Sequence, residues 1–176
     1  MNPRKLVFFD ESSFNLAMKR ASGWAPRGIT PVIEAPARGT TVTVMGAIGL
    51  DGPRAMRIHK GSVNGEVLLD YLREDLGPTL ESGDIVVMDG PRLHRIAGVA
   101  EVLAQFGATV KYLPSYSPEL NPIEMTWAWC KDKIRAIAPR HLAKLKKKVT
   151  EKWEAIDAAA CEGWFRHSGY HAPAST

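Results

Sequence analysis

Residues 84–89 have the sequence DIVVMD, an uninterrupted apolar run between two acids. Such a run, rich in β-branched residues, is typical of a strand that is buried on both faces. A strand of this kind needs helices on both sides of its sheet, which indicates an α/β fold. The stretch KLVFFD at residues 5–10 has the same form, because it is apolar up to a final acid.

The remaining elements are predicted outward from these two strands by their apolar periodicity, caps and turn residues. The predicted order is β-β-β-α-β-α-β-α followed by more helix, which gives a mixed five-stranded sheet with helices on both faces. Residues 11–40 are rich in glycine and proline and are predicted to form one long connection. The predicted strands are Lys5–Asp10, Thr41–Leu50, Arg54–His59, Asp84–Asp89 and Thr109–Leu113. The predicted helices run from the cap Asn64 to about Leu76, from His94 to Phe106, and from Pro122 to about Cys161 with a break near Pro139.

Composition and length restrict the class of protein. The 176 residues suit a single domain, 1–176, with a sizeable core. No apolar run approaches the ~20 residues needed to span a bilayer, so we expect no membrane contact and a cytoplasmic location. Cys130 and Cys161 form no CxxC pair, which argues against a disulfide framework or a zinc cluster. The net charge of +4 is compatible with a polyanionic partner.

Two acids occupy equivalent places in the predicted sheet. Asp10 and Asp89 each end an apolar strand, and in open α/β sheets ligands bind outside the carboxyl ends of the strands. If the two strands are neighbours, each carboxylate disfavours the ionised form of the other, and a divalent cation such as Mg²⁺ relieves the repulsion. For either residue alone, a turn residue at a strand end is the alternative.

A third acid, Glu124, belongs to the sequence NPIE, with Asn121 at the expected N-cap and Pro122 at the first helical position. This spacing is also that of a capping box, in which the glutamate reaches back to the cap's own N–H. The residues alone leave the two roles open, capping residue or ligand. Glu11, next to Asp10, points to the opposite face of its strand and is a weaker candidate.

The segments that contain these acids resemble a known family. They are FFDESSF around Asp10, VVMDGPRLH around Asp89 and YLPSYSPELNPIEMTW around Glu124, with 34 residues between the last two acids. Together with GWAPRG at 23–28, NGE at 64–66 and FRHSGY at 165–170, they are similar to the DDE transposases of the mariner-like superfamily, in particular bacterial insertion-sequence enzymes. The resemblance extends from about residue 5 to residue 171.

This resemblance implies a ribonuclease-H-like fold, which matches the predicted strand order. It also implies an enzyme that cleaves transposon ends and transfers the 3′-hydroxyl into target DNA, with Asp10, Asp89 and Glu124 binding two Mg²⁺ or Mn²⁺ ions. The expected partners are double-stranded DNA, a second copy of the chain in a homodimer, and a separately encoded end-binding domain. We expect a bacterial protein that joins the nucleoid when it is on DNA. Two alternatives stay open: another ribonuclease-H-like nuclease, and an impaired remnant that binds DNA or a partner.

The sequence departs from the family in two places. Gly90 and Pro91 follow Asp89 where the family commonly has an asparagine, although His94 is retained. The first acid already lies at residue 10, so no N-terminal helix-turn-helix part is expected, as in a split, truncated or trimmed chain.

Several residues are weaker candidates for contacts to DNA, and each has a structural alternative. Trp24 suits base stacking or anchoring of its loop, and Arg27 suits phosphate pairing. His94 lies near Asp89 in sequence but also suits a solvated helix start. The last candidates form a basic run that is either a phosphate-binding or a solvated helix face, namely Lys144, Lys146, Lys147 and Lys148.

Overall fold

A computed structural model describes residues 2–19, 25–30, 39–89 and 96–171. Its strands form one five-stranded sheet in the order β3-β2-β1-β4-β5. The first three strands are antiparallel neighbours, whereas β4 lies parallel to both β1 and β5. The strands are β1 (Leu6–Asn15), β2 (Thr41–Gly49), β3 (Gly52–Lys60), β4 (Ile85–Met88) and β5 (Thr109–Tyr112).

Helices cover both faces of this sheet, as predicted. One core lies between the sheet and α1 and α2, and includes Phe9 and Tyr71. The other core lies between the sheet and α3, α4 and α5, and includes Phe8, Trp127 and Phe165. The helices are α1 (Gly65–Tyr71), α2 (Val99–Ala104), α3 (Pro122–Ile137), α4 (Leu142–Glu154) and α5 (Ala158–His167). Among the described residues, no helix has the length and apolar character needed to cross a membrane.

Strand β1 is longer than predicted, so Asp10 lies in the middle of the strand and not at its end. The strand continues to Asn15, and β2 pairs with it from Phe8 to Asn15. Ser12 and Phe14 are buried on one face of the continuation while Ser13 is exposed on the other. The prediction ended the strand too early because acids and serines have weak strand propensity, whereas pairing with a neighbour decides the outcome here.

Helices α1 and α2 also differ from the prediction in where they begin and end. The side chain of Asn64 caps α1 as predicted, by accepting from the N–H of Val67 at 3.0 Å. After α1, the chain continues through a π-helical turn at Leu72–Leu76. Helix α2 begins at Val99, five residues later than predicted, because Gly98 before it has a left-handed backbone with φ of 101°. Residues 90–95 lie outside the described residues.

Candidate active site

The sheet places Asp10 and Asp89 on adjacent strands. Strands β1 and β4 pair in parallel from Leu6↔Ile85 to Phe9↔Met88, so Asp10 and Asp89 each follow the last pair. Phe8 and Val87 belong to the core under α3, α4 and α5. Because side chains alternate along a strand, Asp10 and Asp89 are directed to that same face. The two strands that carry these acids are thus neighbours, although β1 itself does not end at Asp10.

Helix α3 brings Glu124 to the same face of the sheet. Asn121 precedes the helix, but its side chain makes no capping bond, and its own N–H donates to the carbonyl of Pro118 at 3.0 Å. The capping-box alternative is therefore wrong, since the N–H that Glu124 would have reached is already bonded. The side chain of Glu124 is exposed and lines a cleft.

The electrostatics of Asp10 reflect its burial and the charges of the neighbouring acids. Asp10 is 8% exposed. Burial, together with the charges of Glu11, Glu124 and Asp89, raises the pKa of Asp10 to about 8, against a lowering by the backbone N–H of Glu11. An acid with this pKa is held among like charges in a site of low polarity. A cation at this place would relieve the repulsion.

A pair of tryptophans shields the sheet next to Asp10 from water. Gly46 is the partner of Asp10 on β2. Trp127 and Trp153 stack with ring centroids 5.4 Å apart, and a Cβ atom on Gly46 would lie 2.6 Å from both rings. Glycine is therefore required at this position for the rings to approach the sheet. Trp127 is 2% exposed, which confirms that it belongs to the core.

The carboxyl ends of β4 and β5 open into a cleft of about 390 Å³. Asp89 and Glu124 lie on its walls, together with Asn121. Asn121 is 2% exposed, and within the described parts of the chain neither polar atom of its side chain has a hydrogen-bond partner. The rest of the lining comes from the segment between β5 and α3, residues 113–118. The cleft is thus acidic on one side and bounded by a loop of small residues and prolines on the other.

The chain matches the family model described as DDE superfamily endonuclease over residues 5–146. The chain belongs to this family. The matched range contains all three acids, so the family's model covers β1, β4 and the start of α3. No curated protein is similar enough in sequence to count as a match.

Solved structures of Mos1 transposase share the fold of this chain. The Mos1 paired-end complex with the left transposon end has a TM-score of 0.79 at 19% identity, over 93% of this chain and 52% of that one. The Mos1 strand transfer complex has a TM-score of 0.72 at 18% identity, over 93% and 51%. The chain thus spans about half the length of these relatives. The predicted ribonuclease-H-like fold is confirmed.

In this structure, Asp10, Asp89 and Glu124 do not lie close enough together to bind one metal ion as a group. Within residues 2–19, 25–30, 39–89 and 96–171, no three His, Cys, Asp or Glu side chains are grouped closely enough to hold a metal ion. The two cysteines are buried, and burial raises the pKa of Cys130 and of Cys161 to about 12. The available donors at the cleft are carboxylate oxygens, which suit hard divalent cations.

The weaker candidates for DNA contacts are only partly described. Trp24, His94 and the Gly90-Pro91 departure lie outside the described residues, and Arg27 is exposed but does not line the cleft. The lysines of α4 differ among themselves. Lys144 and Lys147 are exposed, whereas Lys146 and Lys148 are half-buried and Lys148 pairs with Glu151. None of the four lines the cleft, so their contact with DNA stays a prediction.

Sequence reasoning missed the role of the C-terminal segment FRHSGY. The ring of Tyr170 packs on Phe8 with centroids 4.9 Å apart, and its hydroxyl donates to the carbonyl of Leu120 at 2.8 Å. Tyr170 therefore ties strand β1, two residues before Asp10, to the turn that leads into Glu124. The likeness of this segment to the family was the only signal of a role, since no residue in it is an acid or a ligand.

Proposed function

We propose that this chain is the catalytic domain of a DNA transposase, which cleaves transposon ends and transfers the 3′-hydroxyl into target DNA. One observation carries the proposal. Asp10, Asp89 and Glu124 come from three separate elements to one face of the sheet, next to a cleft, in a chain of the DDE superfamily endonuclease family. Mos1, which shares the fold, is a transposase known in paired-end and strand transfer complexes.

The donor set fits divalent metal ions. Asp10 is the most buried of the three acids and carries the raised pKa, so a cation at its carboxylate would replace the proton that it otherwise retains. Asp89 and Glu124, which both line the cleft, would hold metal there. We propose two ions, Mg²⁺ or Mn²⁺, which when bound would polarise the scissile phosphate and lower the pKa of a water. Mos1 structures with Mn and with Mg support this choice of metals.

Other residues of the chain hold the acids in position and exclude water from the sheet beside them. The stacked pair Trp127 and Trp153 keeps water from the sheet beside Asp10, and Tyr170 fixes the turn before Glu124. A site of this kind contributes by holding the reacting groups in place and stabilising charge, because the attacking group is a water or a DNA hydroxyl.

The proposed partners are double-stranded DNA at the transposon ends and at the target, and a second copy of this chain in the active complex. The paired-end complexes of Mos1 support the DNA partner. A separately encoded end-binding domain belongs to the same proposal. The proposed location is the cytoplasm, on the nucleoid when the protein is bound to DNA.

One observation favours a second candidate, a remnant that binds DNA or a partner without chemistry. The described acids do not form a closed metal site, and an active enzyme must close it when metal and DNA bind. A single assay separates the candidates. A duplex with a labelled, pre-cut 3′-hydroxyl end is mixed with supercoiled plasmid and Mn²⁺. Covalent transfer of the label to plasmid supports the transposase. Nicking without transfer indicates another nuclease, and binding with neither reaction indicates the remnant.

A further inference from the structure

Tyr116 is a fully exposed aromatic residue at the edge of the cleft. Its side chain is 100% exposed, and it lines the same cleft as Asp89 and Glu124. Its backbone is left-handed, with φ of 60°. A tyrosine ring normally buries a large area, and a non-glycine residue with positive φ is uncommon. Packing against the described residues therefore does not account for the ring.

The loop that carries Tyr116 is anchored at both ends. On one side, the N–H of Leu113 donates to the carbonyl of Met88 at 2.8 Å, next to Asp89. On the other side, Tyr170 donates to the carbonyl of Leu120 at 2.8 Å. Between these anchors the sequence is PSYSP, so the neighbours of the ring are small or conformationally fixed. The loop that carries the ring is therefore held at both ends close to the acids.

The chemistry of the cleft indicates what covers the ring. A phosphate would approach the acids only together with a cation, because phosphate and carboxylate are both negatively charged. The neutral ring of Tyr116 would instead stack on an uncharged planar group. In a strand whose scissile phosphate lies between Asp89 and Glu124, the nearest flat group is the base of an adjoining nucleotide. Stacking on an aromatic side chain accepts any base, because every base has a π-face.

We propose that Tyr116 stacks on the nucleobase that flanks the scissile phosphate and holds the cut DNA end in register with the three acids. The proposal rests on the proposed function, since it takes DNA as the occupant of the cleft. It adds a binding subsite for one unstacked base, formed by a residue with no part in metal binding.

The test measures binding rather than catalysis. A duplex with a pre-cut 3′ end carries 2-aminopurine as its terminal base, and its fluorescence is followed as the protein is added. Stacking on Tyr116 quenches this fluorescence. We expect quenching with the wild-type chain and with Tyr116→Phe, which keeps the ring, and none with Tyr116→Ala. We also expect Tyr116→Ala to weaken binding on the order of tenfold, as loss of one base–aromatic stack predicts.

Two controls make the result specific. Ile29→Ala removes the other large exposed apolar side chain of the described residues, which does not line the cleft, and should leave the quenching unchanged. A duplex with an abasic terminal site should bind wild type and Tyr116→Ala equally, because no base is left to stack.

Three outcomes would overturn the proposal. Equal quenching and equal affinity for wild type and Tyr116→Ala would show that the ring does not touch the base, while end joining by both variants would leave the proposed function intact. A change of oligomeric state in Tyr116→Ala with unchanged quenching, seen by light scattering, would assign the ring to a protein contact. Absence of DNA binding by the wild-type chain would overturn this proposal and the proposed function together.

Discussion

The two ends of strand β4 each carry a buried or half-buried aspartate, yet their surroundings are opposite. At the amino end, Asp84 is 1% exposed, lies 3.3 Å from the ammonium of Lys5 and accepts from the N–H of Glu81 at 2.9 Å. We call Lys5, Glu81 and Asp84 the paired cluster. Lys5 also lies 3.0 Å from Glu81 and lowers the pKa of that carboxyl. Here every acid has a partner that stabilises its charge.

At the carboxyl end of the same strand, the acids meet other acids. We call Asp10, Asp89 and Glu124 the acidic edge. Burial and like charges raise the pKa of Asp10 to about 8, the opposite of what Lys5 does to Glu81. Natural proteins retain such destabilising groups mainly at functional sites. The difference separates acids that hold the fold together from acids that we propose are held for chemistry.

Asp89→Asn should have the largest effect and should act on activity alone. Loss of one metal ligand removes several kcal/mol of transition-state stabilisation, so we expect DNA joining to fall on the order of 1000-fold. The melting temperature should stay within a few degrees of wild type. Joining at the wild-type rate by purified Asp89→Asn protein would remove Asp89 from the active site.

Asp10→Asn should stabilise the metal-free protein while lowering joining by no more than Asp89→Asn does. Folding raises the pKa of Asp10 from 3.8 to about 8, so the buried carboxyl costs stability that is absent below about pH 4 and grows as the pH rises to about 8. Asparagine needs no proton, and we expect a gain of roughly 1–4 kcal/mol at pH 8.

Urea unfolding of both proteins without metal, from pH 4.5 to pH 8.5, measures this difference. It should widen with pH, and millimolar Mn²⁺ should narrow it by stabilising wild type alone. A difference that stays constant across the pH range would contradict the account of Asp10.

Asp84→Asn in the paired cluster should lower the stability of the protein and leave joining unchanged. Asparagine offers one acceptor oxygen and no charge, so it cannot both accept from Glu81 and pair with Lys5. We expect a loss of about 1–2 kcal/mol of stability. Joining measured well below the melting temperature should be unchanged. A large loss of joining there would show that the two ends of β4 are not distinct.

Tyr170→Phe should have the smallest effect. It keeps the ring against Phe8 but removes the hydrogen bond to the carbonyl of Leu120. We expect the free energy of unfolding to fall by about 1 kcal/mol. Because the turn before Glu124 is then held less firmly, joining should slow several-fold. Tyr71→Phe is the matched control, because its hydroxyl donates to the carbonyl of Ala55 at 3.1 Å on the other face of the sheet. Equal rates for the two variants would show that Tyr170 has only a structural role.

The succession of strands and helices along the chain, and the buried strands that carry the two aspartates, could be predicted from the sequence. Apolar periodicity identifies the elements, and apolar runs that end in acids identify these two strands. The length of β1 could not be predicted, since the continuation ESSFN forms a strand only by pairing with β2. The choice between capping residue and ligand for Glu124 depended on a bond between Asn121 and Pro118 that no local pattern shows. The exposure of Tyr116 and the contact of Tyr170 with Leu120 likewise arise only in the folded chain.

The most direct test of the acidic edge is a crystal of the chain soaked in millimolar Mn²⁺, with anomalous diffraction recorded. The account predicts an anomalous peak bound by the carboxylates of Asp10 and Asp89, with Glu124 turned toward the same site. It also predicts no peak at Asp84, which already has Lys5 as its partner. Absence of manganese at Asp10 and Asp89, or three carboxylates that stay apart in the soaked crystal, would contradict the account and favour a remnant that binds DNA or a partner without cutting.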